Sequence, residues 1–198
     1  MHEPTLAWLK KRRIAVLYGG WSEEKVISRI TGKAVLQTFL GLGLKAYGVE
    51  VECDLPAALR KVKAGFAFLA LHGRYGEDGT VQGLCEIMNI PYSGSGVLAS
   101  ALSMNKAAAK HLVRAAGVST PESFLVTPGQ SDLKAVPIKM PFVVKPADGG
   151  SAIGVTIVRR SSDWPRALRA ARKVSSLLIV EKFISGTEVT ASILSIFT

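Results

Sequence analysis

Acidic side chains are scarce in this chain: 15 Asp and Glu stand against 25 Lys and Arg, a formal net charge of +10 over 198 residues. That balance raises nucleic acid as a partner. However, the basic residues are dispersed apart from Lys10-Lys11-Arg12-Arg13, and neither an aromatic-rich RNA-binding signature nor a zinc-finger spacing is present. No nucleic acid is expected, and scattered lysines suit smaller phosphates equally well. Cysteine and histidine are few. Cys53 and Cys85 lie far apart, and His2, His72 and His111 form no metal-like spacing, so reduced thiols and no metal cluster are expected. No apolar run reaches the length of a membrane span, and Met1 to Arg13 lacks the apolar core of a signal peptide. No membrane partner and a cytoplasmic location follow as expectations. The doublet Gly19-Gly20 lacks the spacing of a dinucleotide fingerprint, and no Gly-Lys-Ser/Thr opens a helix as in a P-loop.

What is present is an alternation of strand and helix patterns. Arg13 to Tyr18 is a β-type run ending in Gly19-Gly20. Ser22-Glu23-Glu24 then reads as a helix start with a capping serine and acids in the first turn. Val26, Ile27, Ile30, Ala34, Val35 and Leu36 follow at helical spacing, an apolar face expected to meet the core. Lys45 to Val51 reads as a second strand, Leu55 to Lys63 as a helix capped by Asp54, and Phe66 to Leu71 as a third strand. This order predicts an α/β fold with a parallel sheet. The third strand delivers His72, Arg74, Glu77 and Asp78, with Gly73, Gly76 and Gly79, to one loop before a helix over 81–88. A plain connection needs far less chemistry, and loops at the carboxyl ends of parallel strands form the ligand crevice of such sheets.

Pro91 to Gly96 interrupts the pattern and reads as a domain junction. Beyond it, Val97 to Ala116 predicts one alanine-rich helix. Phe142 to Lys145 and Ile153 to Val158 predict two adjacent strands, Asp163 to Lys173 a helix, and Leu177 to Val180 a strand; a further strand is expected from Glu188 to Phe197. Lys145 before Gly149-Gly150-Ser151 has the layout of a phosphate-binding turn: glycines let backbone N–H groups approach oxygen, and lysine adds charge. The plainer alternative is a hairpin with a flexible turn. Lys106 taken alone reads as a surface lysine, Glu181-Lys182 as a charged strand end, and Glu24 as a partner of the helix dipole.

Taken together these segments resemble the D-alanine–D-alanine ligases, a branch of the ATP-grasp superfamily. The residues that carry the resemblance are Gly19-Gly20-Trp21-Ser22-Glu23-Glu24, Ala70 to Gly83, Pro91 to Gly96, Ala99 to Lys106, Val144-Lys145-Pro146 and Glu181-Lys182-Phe183. The resemblance implies a Rossmann-like, pre-ATP-grasp domain over 1–96, an α+β central ATP-grasp subdomain over 97–184, and the interrupted start of a C-terminal subdomain over 185–198. It implies ATP-dependent joining of two D-alanines through an acyl phosphate, for peptidoglycan synthesis. Glu24 would hold the ammonium of the first D-alanine, Ser151 would help order the loop over the site, and His72 would lie near the substrate carboxylate. Lys106, Lys145, Gly150 and Ser151 would bind ATP phosphates. Glu181, Lys182 and Ile184 would frame the adenine, and Glu188 the ribose. The family also implies Mg²⁺ or Mn²⁺ and a homodimer formed through the N-terminal domain.

Two local departures stand out. Lys25-Val26-Ile27-Ser28 replaces the usual Arg-Glu-Val-Ser, and Ala152 replaces the second serine of the phosphate turn. Family members run to about twice the length of an ordinary domain. Their C-terminal part carries the metal ligands, a transition-state arginine and a closing tyrosine–lysine loop, which have no counterpart here. The 198-residue chain is therefore expected to be inactive alone. A non-catalytic nucleotide-binding module, or a D-alanine–D-lactate or D-serine ligase, are the alternatives.

Overall fold

A computed structural model describes residues 6–51 and 54–191. It contains two compact units, one built from residues up to 101 and the other from residues 102–189. Cys53, His2 and the part of the last expected strand over 192–197 lie outside the described residues. No described helix is long and apolar enough to cross a membrane.

The first unit is an α/β layer structure. Strands β1 (Arg13–Gly19), β2 (Lys45–Val51) and β3 (Phe66–Leu69) form a parallel sheet in the order β2-β1-β3, with Ile14 opposite Ala46 on one side and Phe66 on the other. Successive β1 side chains point to opposite faces, and both faces are covered. Ile14 and Val16 pack with Leu44, Ala46 and Phe66 beneath α1 (Leu6–Lys10) and α2 (Lys25–Gly41). Ala15 and Leu17 pack with Leu55, Leu59, Val81 and Cys85 of α3 (Leu55–Lys61) and α4 (Thr80–Ile87). The Asp54 side chain caps α3 by accepting from Ala57 N at 3.1 Å, as its sequence position predicts. The short α1 was not legible in the basic N-terminus.

Helix α2 corrects part of the expected apolar face: Val35 and Leu36 pack against the core, but the apolar residues of the first turns do not. Val26, Ile27 and Ile30 are more than half exposed, while Ser28 and Gly32 are the buried positions. Small residues win the contact because the helix lies against Tyr18: a Cβ at Gly32 would sit 2.3 Å from Tyr18 Cβ. Glu23 and Glu24 precede the helix rather than lying in its first turn.

The second unit carries an antiparallel sheet of β4 (Ser123–Val126), β5 (Phe142–Pro146), β6 (Thr156–Val158) and β7 (Leu178–Lys182), in the order β4-β7-β5-β6. The expected hairpin is β5–β6, shorter than predicted, with Phe142 opposite Val158. Helix α7 (Trp164–Arg172) covers one face, burying Trp164, Ala167, Leu168 and Ala171 against Phe142, Val144, Leu178 and Val180. Alternation therefore sends Val143, Lys145, Ile179 and Glu181 to the opposite face. Strand β4, between Pro121 and Pro128, was not anticipated.

The single helix expected over 97–116 is two, α5 (Val97–Met104) and α6 (Lys106–Ala115). Asn105 adopts an extended conformation between them, and its side chain accepts from Ala108 N at 2.9 Å, capping α6. Glu188 to Ala191, the described part of the last expected strand, is not strand.

Candidate functional site

In the first unit the strand order reverses at β1: the chain goes to β2 on one side and to β3 on the other. Ligands bind such sheets at this switch point, beyond the strand carboxyl ends. Two loops meet there, 20–24 after β1 and 70–79 after β3. Ser28, fully buried, clamps their roots by accepting from Gly19 N at 2.9 Å and donating to Ala70 O at 2.7 Å. Ser22 Oγ donates to His72 O at 2.7 Å and accepts from Glu24 N at 3.2 Å. The rings of Trp21 and Tyr75 meet edge to face at 5.4 Å.

The long loop is shaped almost wholly by side chains bound to its own backbone. Glu77 Oε2 accepts from Gly73 N at 2.8 Å, Asp78 accepts from Tyr75 N and Thr80 N at 2.8 and 3.0 Å, and Gln82 Nε2 donates to Gly76 O at 2.8 Å. Burial works against ionised Asp78, but those N–H donors outweigh it and hold the carboxyl below its ordinary value. Glu77 and Asp78 thus brace the loop. They leave His72 with its Nδ1 3.6 Å from Glu77 Oε1 and its Nε2 3.4 Å from Thr31 Oγ1.

Gly73 has φ +69°, and a Cβ there would come within 2.7 Å of Glu24 Oε2. Glycine at this position therefore admits the Glu24 carboxylate beside the loop. Glu24 and His72, both singled out from the sequence, share one lip of the sheet. Cys85 lies beneath, fully buried, its thiol pushed up by burial to about 11, which makes it a poor nucleophile.

In the second unit the charged residues gather on the sheet face away from α7. Lys145 pairs in register with Ile179, and Glu181 with Val143, so Lys145 and Glu181 are diagonal neighbours within reach of long side chains. Lys145 Nζ donates to Glu181 Oε2, and Lys110 Nζ donates to Glu181 Oε1. Lys110 also donates to Thr120 Oγ1 at 2.6 Å. Only 11% of the Glu181 side chain is exposed. Burial opposes its charge, but the two ammonium groups prevail and lower its pKa.

The β5–β6 turn is fixed to the start of α6. Lys106 N donates to Ala147 O at 2.8 Å, Asn105 Nδ2 to Asp148 Oδ1 at 3.0 Å, and Lys106 Nζ to Gly149 O at 2.5 Å. Burial and the neighbouring charge of Lys145 together lower the Lys106 pKa. Gly149, Ser151, Ala152 and Gly154 all adopt positive φ. Such backbone is uncommon for Ser and Ala and is maintained only where the surroundings enforce it.

Lys106, Lys145, Glu181 and the Gly149–Ser151 turn thus come together in this unit. Lys182 and Ile184 lie exposed at and just beyond the end of β7, and Glu188 is exposed further on. The residue that the sequence reading missed is Lys110. Among the described residues no group of three His, Cys, Asp or Glu is placed to hold a metal ion. The divalent cation implied by the resemblance therefore has no ready-made protein cage among them.

Two family models match the chain: "D-ala D-ala ligase N-terminus" over residues 46–95 and "D-ala D-ala ligase C-terminus" over residues 112–196. A curated relative from Trichlorobacter lovleyi, a D-alanine–D-alanine ligase, is 45% identical over 188 residues, covering 94% of this chain and 60% of its own length. The crystal structure of the D-alanine–D-alanine ligase from Bacillus anthracis superposes with TM-score 0.79 at 36% identity, over 88% of this chain and 58% of that one. The same enzyme complexed with ATP gives 0.78 at 35% identity, over 88% and 60%. The chain thus spans about 60% of the length of the curated relatives it matches.

Proposed function

Because the chain belongs to the D-alanine–D-alanine ligase family, we propose that it supplies the first-substrate lip and the nucleotide grip of an ATP-dependent ligase joining two D-alanines. In that reaction ATP gives a phosphoryl group to the carboxylate of one D-alanine. The amine of a second then attacks the acyl carbon, a proton is lost, and phosphate leaves, with the dipeptide destined for peptidoglycan. Residues 1–96 serve the amino acid, 97–184 the nucleotide, and 185–198 belong to the next subdomain of the family architecture.

The observation that carries this reading is the gathering of Lys106 and Lys145 around a left-handed Gly149–Ala152 turn. Lys106 and Lys145 neutralise the triphosphate, helped by the backbone N–H groups of Gly150 and Ser151. This is phosphoryl transfer by positioning and charge. Glu181, Lys182 and Ile184 frame the adenine, and Glu188 takes the ribose hydroxyls. Glu24 receives the ammonium of the first D-alanine and His72 its carboxylate, while Ser151 orders the phosphate turn.

Product analysis tests the reading. With ATP and D-alanine, protein containing this sequence should form D-alanyl-D-alanine with one phosphate per dipeptide, and Glu24→Gln should slow it about 100-fold or more by misplacing the amine. Phosphate released without dipeptide, or a rate indifferent to Glu24, contradicts it. The exposed strip Val26, Ile27 and Ile30 on α2 supports a homodimer through the first unit. Sedimentation should then give a dimer that Ile30→Asp dissociates.

A further inference from the structure

The two lysines assigned to phosphate are both already engaged with acceptors inside the protein. Lys106 Nζ is on Gly149 O at 2.5 Å, and Lys145 Nζ is on the Glu181 carboxylate. A phosphate that recruits Lys145 competes with Glu181 for the charge and orientation of one ammonium. As Lys145 turns towards a phosphate, a carboxylate with 11% side-chain exposure loses part of its compensation, and an uncompensated buried charge is strongly unfavourable. The structure holds a second cation in place for that moment. Lys110 lies one helical turn beyond Lys106, is itself only 11% exposed, and bonds the other oxygen of the same carboxylate. Its position is fixed from the far side by Thr120 Oγ1 at 2.6 Å.

We propose that Lys110 is a positioning residue that keeps Glu181 ionised and oriented while Lys145 transfers to an incoming phosphate. The inference rests on the nucleotide reading above and deepens it. Lys110 touches no phosphate itself. It makes Lys145 available, because Glu181 needs one ammonium and has two. Without Lys110, Lys145 is the only counter-ion of Glu181 among the described residues and is held more firmly. A phosphate then competes with the carboxylate for that one ammonium.

Three variants and one probe separate these cases. The probe is inorganic tripolyphosphate, which carries no adenine, followed by isothermal titration calorimetry with the 198-residue chain. Lys110→Met should weaken binding roughly tenfold or more, the worth of one charge-assisted hydrogen bond. Lys110→Arg should bind as the wild type does. Lys110→Met combined with Glu181→Gln should recover wild-type affinity, because Lys145 no longer has a carboxylate to hold it. A purely structural role for Lys110 predicts no such recovery. NMR titration of Glu181 in the ligand-free protein gives an independent reading, and its midpoint should rise in Lys110→Met.

If wild-type chain binds tripolyphosphate and Lys110→Met binds it equally, or the double variant stays as weak as Lys110→Met, the inference is overturned and the nucleotide reading stands. If the wild type does not bind tripolyphosphate, the nucleotide reading falls and the inference falls with it.

Discussion

The two units hold their functional side chains by different means. In the first, the loop that presents His72 is shaped by side chains bonded to backbone N–H and C=O groups: Ser22, Ser28, Glu77, Asp78 and Gln82. Close packing allows little alternative. A Cβ at Gly76 would lie 2.4 Å from Leu71 Cβ, and one at Gly73 would meet Glu24. In the second unit, three lysines share one buried carboxylate and one carbonyl through long, rotatable stems. On the proposed function, the difference is one of task. A lip that must recognise a small amino acid gains from a fixed shape, since misplacement is costly. A grip on a triphosphate gains from charges that can exchange partners.

The largest expected effects break the rigid half. Gly76→Ala should destabilise the first unit by about 3 kcal/mol, the upper range for overpacking, because the colliding atoms are a Cβ and main chain. Urea unfolding followed by circular dichroism would read it as a lower midpoint. Gly32→Ala should cost about 2 kcal/mol although alanine favours helices, because its Cβ meets the Tyr18 Cβ at 2.3 Å. A gain in stability there would refute the placement of α2.

Ser28→Ala should cost about 1–3 kcal/mol by leaving Gly19 N and Ala70 O without their partner. Amide exchange at Gly19 should accelerate with it. That hydroxyl also explains what the sequence could not convey. The apolar residues of α2 suggested that Val26, Ile27 and Ile30 face the core, but a serine and a glycine set the rotation of the helix, one by hydrogen bonds and one by close approach. Periodicity records hydrophobicity, and here small size decided the contact.

Other parts were legible for physical reasons. Strands β1 and β3 are near-continuous apolar runs because both faces of the sheet are covered, whereas the edge strand β2 alternates buried and exposed positions. The loop after Phe66–Leu69 was conspicuous because it holds more ionisable residues than a turn requires. Lys145 before Gly149-Gly150-Ser151 was legible as local chemistry. Lys110 was not, because its partner Glu181 is 71 residues away and a lysine one turn after Lys106 in an alanine-rich helix reads as a solvated face. Asn105 was likewise lost within that helical pattern, although its side chain divides it in two.

The smallest effect sharpens the comparison through pH. Asp78 and Glu181 are both held below their ordinary values of 3.8 and 4.5, so the unfolded chain takes up protons first as pH falls. Their stabilisation is full above about pH 4.5 and is lost as pH falls through the folded-state values. Thermal melts across that range should show it, flattened by Asp78→Asn or Glu181→Gln in the matching unit. Molar salt should weaken the Glu181 part through screening and leave the Asp78 part, which rests on backbone N–H donors, nearly unchanged. Equal salt sensitivity would remove the distinction between the units.

The central claim is that the second unit grips a nucleotide by its phosphates. Calorimetric titration of the chain and of Lys145→Met with a non-hydrolysable ATP analogue tests it directly. Saturable binding by the wild type, weakened about tenfold or more in Lys145→Met, is the predicted result. No binding, or equal affinity in the two proteins, would contradict it.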